Sequence, residues 1–147
     1  MPIDWSKAPL AQLTNEIVEV FHRRARYRLV TLLPLSARLA AAHGEAHPHL
    51  FEVHDELQRI ARDLVPHMKT EENYLFPYVA SMESPGGIDT TVIVPLFGTV
   101  RHPLQSLQHQ HSVDRHAFER IREATNDFAA DAVHCDGVAR LYMALKE

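Results

Sequence analysis

The stretch from Leu50 to Tyr78, LFEVHDELQRIARDLVPHMKTEENYLFPY, carries the reading of the fold. Steps of three and four along it pick out Leu50, Val53, Leu57, Ile60, Leu64, His67, Glu71, Tyr74 and Tyr78. Seven of these nine are apolar or aromatic, so the spacing predicts one long helix with a core-facing seam. The two exceptions, His67 and Glu71, stand four residues apart in the middle of that seam. A carboxylate in a core is costly unless it is paired or binds a metal. An imidazole one turn away on the same face offers either solution.

Outward from this stretch the pattern stays helical, and glycine is scarce at 5 residues. A first helix is expected from Ser6 as N-cap, with Pro9 in its first turn, through Leu13, Ile17, Phe21 and Leu29 to His43. Gly44 then stands as the C′ residue, and Pro34 predicts a kink or an interruption. The second helix begins near Pro48, and Pro66 and Pro77 predict a kink or an early end within it. Ser84-Pro85-Gly86-Gly87 closes it, and residues 88–101 read as a connection with a β-branched patch from Thr90 to Val94. A third helix opens at Pro103 and runs to about Phe128, with the stripe Leu104, Leu107, His111, Asp114, Phe118 and Ile121. A short fourth helix follows Asp136 as N-cap, through Val138, Leu141, Tyr142 and Leu145. The predicted fold is all-α, a single domain over 1–147 forming an antiparallel up-down four-helix bundle with a short or truncated fourth helix.

Composition narrows the function classes. With 147 residues, 46% hydrophobic and 23% charged, the chain has the make-up of an ordinary soluble domain. A net charge of −4 gives no reason to expect nucleic-acid binding. The single cysteine, Cys135, suits a reducing compartment. No apolar run approaches the roughly 20 residues that span a bilayer, and the N-terminus has no signal-peptide pattern. These features predict a cytoplasmic protein without a membrane anchor. Histidine, at 11 residues, is the unusual number, because imidazole is the commonest metal ligand.

Helical phase sorts these histidines. His102, His109 and His116 share one face of the third helix and are expected in solvent, whereas His111 falls on the opposite, apolar side. His22 shares a stripe with Val18, Ala25, Leu29 and Leu32. The midpoint of His22 and His67 falls at the Gly44 turn, and that of His67 and His111 falls just after Gly87. In an antiparallel bundle these residues lie level, which is the pattern of a metal site in the core. A lone histidine in an apolar stripe is more often a hydrogen-bonded core residue. Three of them on separate helices, with a glutamate, favour a metal. His43, His47, His49 and His54 read as capping or surface residues, Cys135 as a loop residue, and Tyr74, Phe76 and Tyr78 as packing around the site.

These residues resemble the hemerythrin-like HHE cation-binding family, and within it the C-terminal di-iron domain of iron-sulfur cluster repair proteins. The likeness is carried by Asp4-Trp5-Ser6-Lys7-Ala8-Pro9-Leu10, Phe21-His22, Ala42-His43-Gly44 and His47-Pro48. Its most specific part is His67-Met68-Lys69-Thr70-Glu71-Glu72-Asn73-Tyr74-Leu75-Phe76-Pro77. Gln110-His111, Ile121-Arg122, Thr125-Asn126 and Leu141-Tyr142 match more weakly. The resemblance implies two irons bridged by two carboxylates, with His22, His67 and Glu71 filling one half-site and His111 the third-helix position. Gln110 departs from the acidic residue that the family carries there. The fourth-helix His-x-x-x-Glu is absent, since its place would fall near position 156, beyond Glu147. Four ligands predict one metal, weakly held metal or none. Iron is expected, with zinc or manganese as alternatives.

The resemblance implies a non-haem iron protein of the nitric-oxide or oxidative stress response, acting in iron-sulfur cluster repair on an iron-sulfur client. The alternatives are a reversible dioxygen or nitric-oxide carrier or sensor, and a metal-depleted helical protein with a degenerate site. A monomer and a homodimer are both open, the latter if the short fourth helix leaves an apolar groove.

Overall fold

The computed structural model describes residues 4–87, 101–129 and 135–146, with the side chains of 101–103 excepted. Within these the chain is helical, and no strand occurs among the described residues. Four continuous helices account for it. Helix α1 covers residues 10–43, as an α-helix Leu10–Glu16, a π-helical turn Ile17–His22 and an α-helix Arg23–His43. Helix α2 covers 49–81, as His49–Thr70, a second π-helical turn Glu71–Leu75 and Phe76–Ser81. Helix α3 is Arg101–Ala124 and α4 is Asp136–Lys146.

Several boundaries differ from those expected. Ser6 does not cap α1; its hydroxyl donates to Asp4 Oδ1 in a local turn, and the helix begins at Leu10. Pro9 at the cap has no side-chain donor or acceptor to offer, and Glu83 supplies the missing acceptor, its Oε2 lying 2.7 Å from the Leu10 amide. A carboxylate at a helix N-terminus also answers the helix dipole. Pro34 does not interrupt α1. The carbonyl deprived of its partner belongs to Val30, which is 75% exposed, so water can satisfy it. Pro66 and Pro77 likewise lie within α2. Helix α3 begins two residues before Pro103 and ends at Ala124, four residues before Phe128. Asn126, Asp127 and Phe128 take left-handed backbone angles that no helix accommodates. Asp136 is the first residue of α4 rather than its cap. The patch from Thr90 to Val94, and the side chains of His102 and His134, lie outside the described residues.

The chain forms two compact units, Met1–Arg26 with Val65–Gln110, and Tyr27–Leu64 with His111–Glu147. In the second unit the α2 seam is buried as its spacing requires, with Leu50, Val53, Leu57 and Ile60 almost wholly enclosed, beside Ile121, Val138 and Leu141. Tyr142 is buried among them, and its hydroxyl meets His49 Nε2 at 3.0 Å, so its polar end is satisfied. On α3, Leu107, Ala117 and Ile121 are buried, whereas Leu104 and Phe118 are 42% and 41% exposed. The inward stripe is thus rotated from the expected one, and His111 is exposed rather than core-facing.

Gly44 is buried, but its backbone is not left-handed. A Cβ there would collide with the Phe51 ring and the Ala40 carbonyl, so close approach, not turn geometry, requires glycine.

In the first unit the segments Leu10–Glu16 and Phe76–Ser81 pack together, and each is followed or preceded by a π-turn. A π-turn holds one residue more than an α-turn and shifts the helical phase beyond it. Phe21 is 62% exposed, whereas His22 is buried, as its stripe with Leu29 and Leu32 predicts. Tyr74 is 37% exposed, and Leu75 takes the inward position.

Candidate metal centre

Three of the four residues singled out by spacing meet in the first unit. His22 closes the π-turn of α1, Glu71 opens the π-turn of α2, and His67 precedes Glu71 by one α-helical turn. All three are buried. His22 Nε2 lies 3.1 Å from Glu71 Oε2, and His67 Nε2 lies 3.3 Å from Glu71 Oε1. One carboxylate therefore gives one oxygen to each of two imidazoles.

The far nitrogens explain why the rings face this way. His22 Nδ1 lies 2.7 Å from Glu72 Oε1, and His67 Nδ1 lies 2.9 Å from the carbonyl oxygen of Gln110. Both partners can only accept, so each Nδ1 carries a proton and donates it. Phe76 stacks on His22 with ring centroids 5.8 Å apart, which fixes the ring plane. Arg26 Nη2 reaches Glu72 Oε1 at 2.7 Å and Oε2 at 2.8 Å. Burial works against the charge of Glu72, but the hydrogen bonds from Arg26 and then His22 outweigh it and hold its carboxyl below the usual range.

With Nδ1 protonated, a neutral imidazole presents a lone pair at Nε2. Two such lone pairs facing a carboxylate repel it, and a cation between them relieves the repulsion. Ligand atoms bound to one metal at about 2.1 Å stand about 3 to 3.5 Å apart, which both separations match. An acceptor on the outer nitrogen of each histidine is also what metal-ligating imidazoles require. The residues present fit a divalent metal of borderline softness.

His111 is the first α3 residue of the second unit and follows Gln110 directly. Arg26 had no role in the sequence reading, and Glu72 and Gln110 entered it only through the resemblance, not as partners of the histidines. Glu72 was within reach, as the second acid of the quoted Glu71-Glu72 pair. The pairing of Arg26 with a residue 46 positions away leaves no local signal.

Described residues that are helical throughout their regular structure, with a buried imidazole–carboxylate cluster, define a class, the helical proteins that bind cations through histidine and glutamate. The chain belongs to the hemerythrin family: the hemerythrin HHE cation binding domain matches residues 13–147. Membership implies a metal-binding site, typically for iron. The iron-sulfur cluster repair protein DnrN of Neisseria gonorrhoeae is 27% identical, over 97% of this chain and 82% of its own length. The iron-sulfur cluster repair protein YtfE of Dickeya chrysanthemi is 26% identical, and a probable iron-sulfur cluster repair protein of Haemophilus influenzae is 24% identical. Each of these two aligns with 98% of this chain, which spans 59% of its length. No helix among the described residues is long and apolar enough to cross a membrane.

Proposed function

We propose that this chain is a non-haem iron-binding module of the nitric-oxide and oxidative stress response, acting in iron-sulfur cluster repair, with His22, His67, Glu71 and His111 as its metal ligands. The observation that carries the reading is the convergence of two Nδ1-protonated imidazoles on the two oxygens of one buried carboxylate. A carboxylate that offers one oxygen to each imidazole is disposed to bridge two cations. His111, one residue beyond the Gln110 that anchors His67, is assigned the third-helix position. The names of the relatives support repair as the process and an iron-sulfur protein as the client.

Bound iron would supply an open coordination position for nitric oxide or dioxygen, or an exchangeable ion for a damaged cluster. The protein's own part is to hold the imidazoles in one tautomer, to place the Glu71 carboxyl between them, and to limit water through the burial of all three.

The test is metal content per chain after anaerobic loading with ferrous iron, for the native protein and for His67→Ala and Glu71→Gln. Iron in the native chain and its loss in both variants is expected, and a chain that takes up no iron overturns the reading. Zinc or manganese in preference to iron overturns the metal assignment. Recovery of a nitric-oxide-damaged iron-sulfur enzyme then separates repair from carriage, since a carrier restores nothing.

A further inference from the structure

The two imidazoles of the cluster are held by different chemistry. His67 Nδ1 donates to a neutral amide, Gln110, whereas His22 Nδ1 donates to a carboxylate, Glu72. The Glu72 side chain is 23% exposed, and its oxygens are spanned by one nitrogen of Arg26, which is 38% exposed. A charge-assisted hydrogen bond is shorter and stronger than a neutral one, and the distances of 2.7 and 2.9 Å follow that order.

We propose that Glu72, held by Arg26, is a positioning residue that locks His22 as the Nδ1–H tautomer and makes its Nε2 the stronger donor of the two imidazoles. The metal part rests on the reading above; the tautomer part does not. Glu71 Oε2 lies 3.1 Å from His22 Nε2, within reach to accept a hydrogen bond from an Nε2–H. Without Glu72, therefore, a neutral His22 places its proton on Nε2, toward Glu71, and the lone pair turns away from the cluster. Glu72 opposes that exchange by accepting from Nδ1, and Arg26 holds Glu72 in place. Because a single Arg26 nitrogen makes both contacts, a lysine can substitute where a leucine cannot.

The experiment has two arms, both on the full chain. In the first, histidine is labelled with 15N and the metal-free protein is examined by NMR at a pH where the imidazoles are neutral. The native protein and Arg26→Lys show His22 protonated at Nδ1, and Glu72→Leu shows it protonated at Nε2. His67 stays protonated at Nδ1 in all three. In the second arm, cobalt(II) is titrated and followed by its visible absorption. Glu72→Leu weakens binding by about 10- to 100-fold, the range for loss of a histidine's outer partner. Glu72→Gln, which keeps a carbonyl acceptor without the charge, weakens it less and serves if the leucine variant does not fold.

A His22 that keeps the Nδ1–H tautomer in Glu72→Leu, or in Glu72→Gln if the leucine variant does not fold, overturns the lock. Unchanged cobalt affinity in that same variant overturns the claim on donor strength. A native protein that binds no cobalt refutes the metal site and, with it, the donor-strength claim, while the NMR arm still decides the role of Glu72.

Discussion

Replacing Glu71 by leucine separates a metal-binding cluster from a merely structural one. The side chains of His67, His22 and Glu71 are 1%, 9% and 10% exposed, so whatever cation they hold is withdrawn from water. A ligand present at 100 times its dissociation constant stabilises the folded state by about 2.7 kcal/mol. For a chain of this size that is a rise of roughly 5–10 °C in the melting temperature. Glu71→Leu removes a carboxylate that lies against both imidazoles, and the rise should disappear. The metal-free variant should melt close to the native protein. Leucine restores apolar volume, and both imidazoles keep their Nδ1 partners, so the change stays within about 2 kcal/mol. The assay is a thermal melt followed by circular dichroism, with chelator and with ferrous iron under anaerobic conditions. A metal-induced rise of the same size in Glu71→Leu refutes the argument, because the carboxylate would then play no part in holding the metal.

Three further outcomes test the packing and the charges. Gly44→Ala should destabilise by about 1–3 kcal/mol in urea unfolding, through its collision with Phe51 and the Ala40 carbonyl. Gly44→Asn should be no milder, as it would be if a left-handed backbone were the reason for glycine. Ile121→Ala, at a fully buried position, should cost about 2–5 kcal/mol in the same assay. Glu56 accepts from Arg120 at 2.8 Å on each oxygen, and that bond holds its carboxyl below the usual 4.5. A lowered folded-state value stabilises the protein above pH 4.5 and ceases to do so as the pH falls through it. Arg120→Leu should therefore be less stable than the native chain at pH 7, with the difference shrinking as the pH falls below 4.5, as a series of urea unfolding curves across that range would show.

The helical character, and three of the four proposed ligands as buried residues, were legible in the chain itself. Apolar side chains at helical spacing must be buried together, and a polar residue inside such a stripe must share that burial. His22, His67 and Glu71 obey this rule. His111 does not: it is exposed, whereas Leu107, Ala117 and Ile121 on the same helix are buried.

What the tertiary structure alone decided are the backbone slips and the distant partners. A π-turn is a change of hydrogen-bond register that residue identities do not announce, and beside the two such turns Phe21 and Tyr74 are exposed while Leu75 is buried. The acceptors that orient His22 and His67 lie 50 and 43 residues away along the chain. Spacing can place a histidine on an inward face, but which nitrogen it presents depends on the group packed against the other one, and packing is settled only when the helices meet.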